Sequence, residues 1–208
     1  WDRSEKALRD GCIAAGREFK INEGDGAFYG PKLDFKVRDS LNRIWQCGTV
    51  QLDMNLPERF DISYIDDHGN KVQPIMLHRV IFGSVERFIG ILIEHFAGAF
   101  PLWMSPKQVT IIPVNSEYHL EYSEEVADIL RKKGIRVNVD GRNEKLGYRL
   151  REAHKAKTPL QLIVGDKEVE GRTVNIRRYG QTNQHSVSIQ AFVELALEEI
   201  ENKKYRLQ

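Results

Sequence analysis

The chain has 208 residues, of which 41% are hydrophobic and 29% are charged, and its formal net charge is +1. These values are typical of a globular protein with one large domain or two ordinary ones. A near-neutral charge predicts neither a nucleic acid nor a membrane surface as a partner of the whole chain. Basic residues outnumber acidic ones only in the second half, which makes that half the better candidate for binding a polyanion.

The cysteines and the apolar runs bear on the cellular location of the protein. Cys12 and Cys47 lack CxxC spacing and no secretory signal precedes them, so we expect reduced thiols in a cytoplasmic protein. The longest apolar run, residues 88–100, is too short to span a bilayer, and no membrane partner is expected. Because the chain starts at Trp1 rather than at a methionine, we expect it to be a piece of a longer protein.

Amphipathic and alternating segments make up the first half of the chain. Charged and apolar residues recur at helical spacing near the start, and a strongly apolar helix is predicted from Gly83. Strict alternation between them predicts half-buried antiparallel strands. The predicted elements are a helix at 4–15, strands at 19–21, 33–37, 43–52, 60–65 and 72–80, a hairpin-like loop at 66–70, and a helix at 83–99.

Prolines mark a break at residues 100–106, after which strands and helices alternate. This alternation predicts an α/β domain with a mixed, mainly parallel sheet flanked by helices. Its predicted elements are strands at 109–114, 135–139, 160–164 and 173–177 and helices at 118–133, 145–155 and 189–202. The predicted fold class is therefore α+β followed by α/β, with domains at residues 1–104 and 105–208.

His78 and Arg87 flank a glycine turn, at the end of an apolar run and near the start of an apolar helix. That spacing predicts an imidazole and a guanidinium aimed into one pocket. Helix N-termini preceded by glycine bind phosphates, and a guanidinium adds bidentate hydrogen bonds. A zinc site needs three or four ligands, and no second Cys or His lies at ligand spacing. The competing interpretations are an ordinary strand histidine and an ion pair of Arg87 with Glu86 or Glu94.

The strand at residues 45–53 carries amides, a thiol and a hydroxyl that suit recognition of a small polar ligand. An ordinary edge strand that faces water fits the same pattern. Regular alternation predicts Cys47, Thr49 and Gln51 on one face and Gln46 and Val50 on the other.

Polar clusters follow three consecutive strands in the second half, at residues 140–147, 165–170 and 177–178. Amides, carboxylates and cations at strand ends suit nucleobase edges or phosphates. For Asn143 the competing interpretation is an N-cap of the helix that follows.

Five segments resemble, in order and over nearly the whole chain, the C-terminal part of the threonyl-tRNA synthetase family of class II aminoacyl-tRNA synthetases. They are residues 27–32, 45–53, 78–92, 142–147 and 165–170. The stretch 83–87 resembles the third class II motif, whose arginine holds the γ-phosphate of ATP. The resemblance implies part of the class II antiparallel sheet with the motif-three helix, then an anticodon-binding domain. The implied activity is ATP-dependent ligation of threonine to its tRNA through a threonyl-adenylate.

The resemblance also implies roles for individual residues of the first half. Arg87 matches a catalytic residue and, with Gln46, an ATP contact, where ATP acts together with Mg²⁺. His78 matches one ligand of a catalytic Zn²⁺ that binds the amino group and hydroxyl of threonine. The residues that match the threonine pocket or its wall are Tyr29, Lys32, Gln51 and Ser84.

In the second half, Asn143, Glu168 and Arg177 match residues that read the anticodon bases of tRNA(Thr), by the base-edge hydrogen bonds suited to an unpaired loop. The resemblance places the first two class II motifs, two further zinc ligands and an editing domain upstream of this chain. It therefore implies roughly half of an active site, an incomplete zinc site, and a homodimeric parent enzyme.

Two alternatives stay open at this point. A non-catalytic tRNA-binding module related to synthetase anticodon domains would have no need of His78, Arg87 or the strand at 45–53. Prolyl-, histidyl- and glycyl-tRNA synthetases share the architecture, and His78 just ahead of the stretch 83–87, together with residues 47–49, favours the threonine family among them.

Overall fold

The computed structural model describes residues 1–204 and divides the chain into two compact units, Trp1–His95 and the part from Phe96 onward. The elements of the first unit are α1 (Asp2–Ala14), β1 (Lys32–Arg38), β2 (Ile44–Asp53), α2 (Leu56–Arg59), β3 (Tyr64–Ile65), β4 (Lys71–Val72), β5 (Met76–Val80) and α3 (Val85–His95). Three of the strands form an antiparallel sheet in the order β1-β2-β5, and β3 pairs with β4 in a separate hairpin. Antiparallel strands were predicted for this half.

The turn between β1 and β2 is closed by the carboxylate of Asp39, whose side chain is fully buried. This carboxylate accepts hydrogen bonds from the backbone N–H groups of Leu41 and Arg43 and from the indole N–H of Trp45, at 2.8–2.9 Å. Burial disfavours the charged form, but the hydrogen bonds from Trp45 and Arg43 outweigh it and lower the pKa of Asp39 to about 2.

The depressed pKa of Asp39 predicts an acid-sensitive hairpin. The ionised carboxylate stabilises the fold fully above about pH 4, and this stabilisation is lost as the pH falls towards about 2. We expect Asp39→Asn to be less stable at neutral pH and to lose less stability on acidification than the wild type. Urea unfolding followed by tryptophan fluorescence between about pH 5 and pH 2 measures this. Asp67→Asn, in an exposed loop, serves as the control, and parallel curves for Asp39→Asn and wild type would contradict the prediction.

Several boundaries in the first unit differ from the sequence predictions. The strand predicted at 19–21 does not form, and its residues are exposed and outside any strand. The strand predicted at 72–80 is divided into β4 and β5 around Pro74, which has no N–H to donate. The strand predicted at 60–65 is reduced to β3, and α3 ends at His95 because Ala97 and Gly98 have positive φ angles.

The second unit is a sheet flanked by helices. Its elements are β6 (Val109–Pro113), α4 (Ser116–Lys132), β7 (Val137–Val139), α5 (Leu146–Lys155), β8 (Leu160–Val164), α6 (Asp166–Gly171), β9 (Thr173–Arg178), β10 (Gln184–Ser188) and α7 (Ile189–Glu201). The strand order is β10-β9-β8-β6-β7. Strand β6 runs parallel to β7 and β8, whereas β8–β9 and β9–β10 are antiparallel pairs.

The core of the second unit lies between this sheet and helices α4 and α7. Its fully buried side chains include Val109, Ile111, Val126, Leu130, Leu160, Leu162, Val164, Val174, Phe192 and Ala196. Side-chain caps begin both helices: the Asn115 carboxamide oxygen accepts the Glu117 N–H, and the Ser188 hydroxyl accepts the Ala191 N–H. Helix α5 contributes no residue to this cluster and packs against β6.

The mixed sheet of the second unit was predicted, but half rather than most of its pairings are parallel. Helix α6 and strand β10 were not predicted, because both are short and polar and lack a clear apolar period. Asn143 does not cap α5, whose N-cap position is Lys145. Within residues 1–204 no helix has the length and apolar character needed to cross a membrane.

Candidate functional site

A cavity of about 700 Å³ lies beside the β1-β2-β5 sheet in the first unit. Its walls come from the turn that precedes β1 and from strands β2 and β5. The polar side chains that line it include Tyr29, Lys32, Gln46, Thr49, Gln51 and His78. The structure thus brings together five of the candidate site residues of the first half, all except Ser84 and Arg87.

A bulge in β2 accounts for the position of Gln46. Gly48 pairs with Phe35 and Gln46 pairs with Lys36, which leaves Cys47 without a partner in the ladder. One extra residue reverses the alternation of a strand. Gln46 therefore reaches Thr49, with 3.0 Å between Nε2 and Oγ, and the prediction that Gln46 lies opposite Thr49 and Gln51 was wrong.

Glycines make the close packing around this bulge possible. A Cβ on Gly48 would lie 2.9 Å from the carbonyl oxygen of Ile81, and a Cβ on Gly83 would lie 2.8 Å from that of Cys47. Gly83 also has φ +66°, a backbone conformation that favours glycine. The loop that leads into α3 consequently rests directly on the backbone of β2.

Asp34 connects several polar groups of the cavity. Its Oδ1 accepts hydrogen bonds from Gln46 Nε2 at 2.7 Å and from the Thr49 hydroxyl at 2.9 Å, and its Oδ2 lies 2.9 Å from Lys32 Nζ. The hydrogen bond to Asp34 raises the pKa of Lys32, so the ammonium form is favoured. The sequence analysis missed Asp34, although strand alternation places it two residues from Lys32 and hence on the same face.

A second carboxylate, Asp53, holds His78. His78 Nε2 lies 2.8 Å from Oδ2 of Asp53, and Oδ1 accepts the backbone N–H groups of Asn55 and Leu56 at the start of α2. Asp53 is 4% exposed, and the hydrogen bond from Leu56 is the main cause of its lowered pKa. A buried carboxylate behind an imidazole is the usual support of a metal-binding histidine.

His78 provides the one imidazole among the residues that line the cavity. No three His, Cys, Asp or Glu side chains come together as a metal-binding group within residues 1–204. A tetrahedral zinc site needs three or four ligands. His78 therefore fits the role of a single ligand with its supporting carboxylate, and the described part of the chain does not complete a zinc site.

Arg87 and Ser84 lie outside the cavity lining. The Arg87 guanidinium stacks on the indole of Trp45, 5.5 Å from the ring centroid, and Trp45 precedes Gln46 in β2 and so projects from the opposite face. The Ser84 hydroxyl accepts the Arg87 backbone N–H at 3.2 Å. Glu94 pairs with Arg43 instead of Arg87. Arg87 therefore contacts Trp45 and does not line the cavity that contains His78.

In the second unit, Glu168 bridges α6 to strand β10. Its Oε2 accepts the backbone N–H of Gly165 at 3.1 Å, and its Oε1 accepts the Ser186 hydroxyl at 3.2 Å. Ser186 pairs with Asn175 in β9, and Arg177 lies two residues further along the same face of that strand. Glu168 is thus directed towards the sheet face that carries Arg177.

Asn143 lies elsewhere on this unit, in the loop of residues 141–145 between β7 and α5. Strands β6 and β8 separate β7 from β9 in the sheet. Three strand spacings amount to about 14 Å. The strand that precedes Asn143 and the strand that carries Arg177 are therefore about 14 Å apart in the sheet, and the two residues do not form one cluster.

Comparisons with known proteins assign both units. Residues 5–96 match the family described as the tRNA synthetase class II core domain (G, H, P, S and T), and residues 108–199 match the anticodon binding domain. The chain is 54% identical over 200 residues to the threonine–tRNA ligase of Fusobacterium nucleatum subsp. nucleatum, covering 96% of this chain and 32% of that protein. The chain belongs to the threonyl-tRNA synthetase family. The threonine–tRNA ligase of Acetivibrio thermocellus is 52% identical over 204 residues, covering 98% of this chain and 32% of the relative.

The fold of this synthetase segment also matches a solved structure. The RNA binding domain of threonyl-tRNA synthetase from Cryptosporidium parvum Iowa II superposes with a TM-score of 0.86 at 33% identity, over 95% of this chain and 50% of that one. The predicted class II core followed by an anticodon-binding domain is confirmed. The chain spans about a third of the length of the curated relatives it matches.

Proposed function

We propose that this chain forms the C-terminal part of a threonine–tRNA ligase, with one wall of the site for threonine and ATP in the first unit and the anticodon-binding surface in the second. The observation that carries this proposal is the cavity in which Tyr29, Gln51 and His78 meet Gln46 and Lys32, in a chain 54% identical to such a ligase. A binding module without catalysis would have no use for this cavity.

In the proposed reaction the threonine carboxylate attacks the α-phosphate of ATP and pyrophosphate leaves. A hydroxyl of the terminal ribose of tRNA then attacks the threonyl carbonyl of the adenylate, and AMP leaves. This chain contributes mainly orientation and charge. Gln46 contacts ATP from the cavity wall, and the Arg87 guanidinium binds the γ-phosphate of ATP carried with Mg²⁺. In the structure the Arg87 guanidinium lies over the Trp45 indole, 5.5 Å from the ring centroid.

Threonine is selected through its hydroxyl. Tyr29 donates a hydrogen bond to the Gln51 carboxamide at 3.4 Å, and these two side chains form the wall of the amino-acid pocket. Ser84, which the resemblance assigns to the same pocket, lies outside the cavity lining. His78 would supply one ligand of a Zn²⁺, and a bound Zn²⁺ would supply the Lewis-acid chemistry that recognises the threonine hydroxyl. Valine has no hydroxyl to coordinate, and an apolar pocket alone discriminates poorly between such isosteres.

The second unit is proposed to read the anticodon loop of tRNA(Thr). Asn143, Glu168 and Arg177 present an amide, a carboxylate and a guanidinium, which are the groups that hydrogen-bond base edges in unpaired RNA. A cytoplasmic, homodimeric parent enzyme belongs to the same proposal.

A chimera tests the function of the segment. We expect the Fusobacterium nucleatum ligase to charge tRNA(Thr) when its matching C-terminal third is replaced by residues 1–208. The 208-residue chain alone should give no ATP–pyrophosphate exchange with threonine, because the described residues hold only one wall of the cavity. A well-folded but inactive chimera, or exchange by the isolated chain above background, would contradict the proposal. Circular dichroism of the chimera separates loss of activity from misfolding.

A further inference from the structure

Arg149, in the first turn of α5, is a buried cation that forms no ion pair with a carboxylate within residues 1–204, although the charge of Asp140 is close enough to interact with it. It is 1% exposed, and its guanidinium donates three hydrogen bonds, each to a different backbone carbonyl. The acceptors are Asp140 at 2.8 Å, Glu144 at 3.0 Å and Val114 at 3.2 Å. The carboxylate of Asp140 is engaged instead with Arg142, in a bidentate pair with 2.8 and 2.7 Å between the atoms.

These three carbonyls belong to three different segments. Val114 follows β6, Asp140 follows β7, and Glu144 lies in the loop of residues 141–145. One planar guanidinium therefore fixes the ends of two neighbouring strands and the loop that leads into α5. Asp140 precedes Asn143 in the sequence and Glu144 follows it, so the Arg149 guanidinium holds this loop at both ends.

Other contacts hold the same loop against α4. The Ser116 hydroxyl donates to the carbonyl oxygen of Arg142 at 3.2 Å. A Cβ on Gly141 would lie 2.8 Å from a methyl group of Leu120, so the loop backbone packs closely on the helix. The backbone around Asn143 is consequently fixed, while the Asn143 side chain is exposed.

Burying a guanidinium with only neutral acceptors is costly, and an apolar residue of similar size is often a more stable replacement. Its use at position 149 therefore indicates a geometric role. Lysine would keep the charge, but its single ammonium cannot reproduce a planar fork with three acceptors in different directions.

We propose that Arg149 is a positioning residue for anticodon recognition, which holds the loop of residues 141–145 so that the Asn143 carboxamide meets its base edge. This inference rests on the proposed function of Asn143. Arg149 itself touches no RNA, because it is buried beneath the loop.

The test compares two RNA hairpins on the full 208-residue chain: the anticodon stem-loop of tRNA(Thr), and a copy with one anticodon base replaced. The base is chosen so that its replacement weakens binding to the wild-type chain but does not weaken binding to the Asn143→Ala variant. For Arg149→Lys we expect the ratio of the two affinities to fall by about tenfold, since a bidentate base contact is lost or misaligned. The double variant Asn143→Ala with Arg149→Lys should show no further loss of this ratio.

Arg136→Lys is the matched control. Arg136 is an arginine of the same unit whose guanidinium also donates to backbone carbonyls, those of Trp103 and Ser105, which lie outside the loop. We expect this variant to lose stability without changing the affinity ratio. Ser116→Ala removes a hydrogen bond to the same loop at the surface and should also lower the ratio of the two affinities. This variant tests the proposal if Arg149→Lys does not fold.

The outcomes separate the two levels of the proposal. An unchanged ratio for Asn143→Ala at every anticodon base refutes the assigned role of Asn143. The positioning role alone is overturned if Asn143→Ala reduces the ratio but Arg149→Lys weakens the binding of both hairpins equally. It is also overturned if Arg149→Lys is unfolded and Ser116→Ala leaves the ratio unchanged.

Discussion

His78→Ala in the chimeric ligase should abolish most of the preference for threonine over valine. A site that binds a substrate hydroxyl directly rejects the analogue without it by about 10⁴–10⁵, whereas an apolar pocket manages only about 10² for such pairs. Under the proposed function, this substitution would remove one ligand of the Zn²⁺ that recognises the threonine hydroxyl. We therefore expect the ratio of kcat/KM values for threonine and valine to fall by at least about 100-fold, mainly through loss of activity with threonine.

ATP–pyrophosphate exchange with each amino acid measures this ratio, and mass spectrometry of the intact chimera measures its zinc content. His68→Ala removes an exposed histidine from the loop after β3 and should leave both quantities unchanged. Asp53→Asn keeps His78 but replaces the carboxylate behind it, and we expect an intermediate loss, since such supporting groups are worth about 10–100-fold. Full zinc occupancy and an unchanged ratio in His78→Ala would refute the assigned role of His78.

The residue types at the candidate site could be predicted from the sequence, but their arrangement could not. Tyr29, Gln51 and His78 were identified as members of one site, and the structure places them in one cavity. The position of Gln46 was predicted wrongly, because its side depends on the bulge at Cys47. A bulge arises from how two strands pair, and local alternation contains no information about that pairing.

The supporting carboxylates were missed for a related reason. Asp34 and Asp53 look like ordinary polar positions of half-exposed strands, and their importance follows from partners 12–25 residues away in sequence. Arg149 looks equally ordinary on an amphipathic helix, where an arginine is usually solvent-exposed. In each case the burial of a charged group, which is decided by tertiary packing, creates the role.

These carboxylates give the cavity wall a fixed shape. Gln46, Thr49 and Lys32 are held through Asp34, and His78 is held through Asp53. Side chains that are already oriented by hydrogen bonds lose less conformational entropy when a ligand binds. The polar groups of the cavity wall are therefore preorganised to bind a ligand.

Gly30→Ala should destroy that wall by forcing the turn at residues 27–32 away from β2. Gly30 is buried, and a Cβ built on it would lie 1.9 Å from the carbonyl oxygen of Leu52. The added Cβ is attached directly to the backbone of residue 30, and the oxygen belongs to the backbone of Leu52. No flexible side chain is therefore available to move aside. The neighbouring hydrogen bonds, from Leu52 N–H to the Pro31 carbonyl and from Met54 N–H to the Tyr29 carbonyl, should break as the turn shifts.

Because Tyr29 and Lys32 lie on this turn, we expect Gly30→Ala to lower kcat/KM for threonine in the chimera by more than about 100-fold, as displacements near 1 Å can cost that much. The unfolding free energy of the first unit should fall by about 1–3 kcal/mol, the usual cost of overpacking a well-packed site. Gly11→Ala, in α1, is the control, because its added Cβ meets nothing within 4 Å and Gly11 does not line the cavity. Steady-state exchange kinetics and urea unfolding measure both effects. The close approach of Gly30 to Leu52 indicates that the turn is a rigid support of the cavity. Equal activity and stability for the two variants would contradict this.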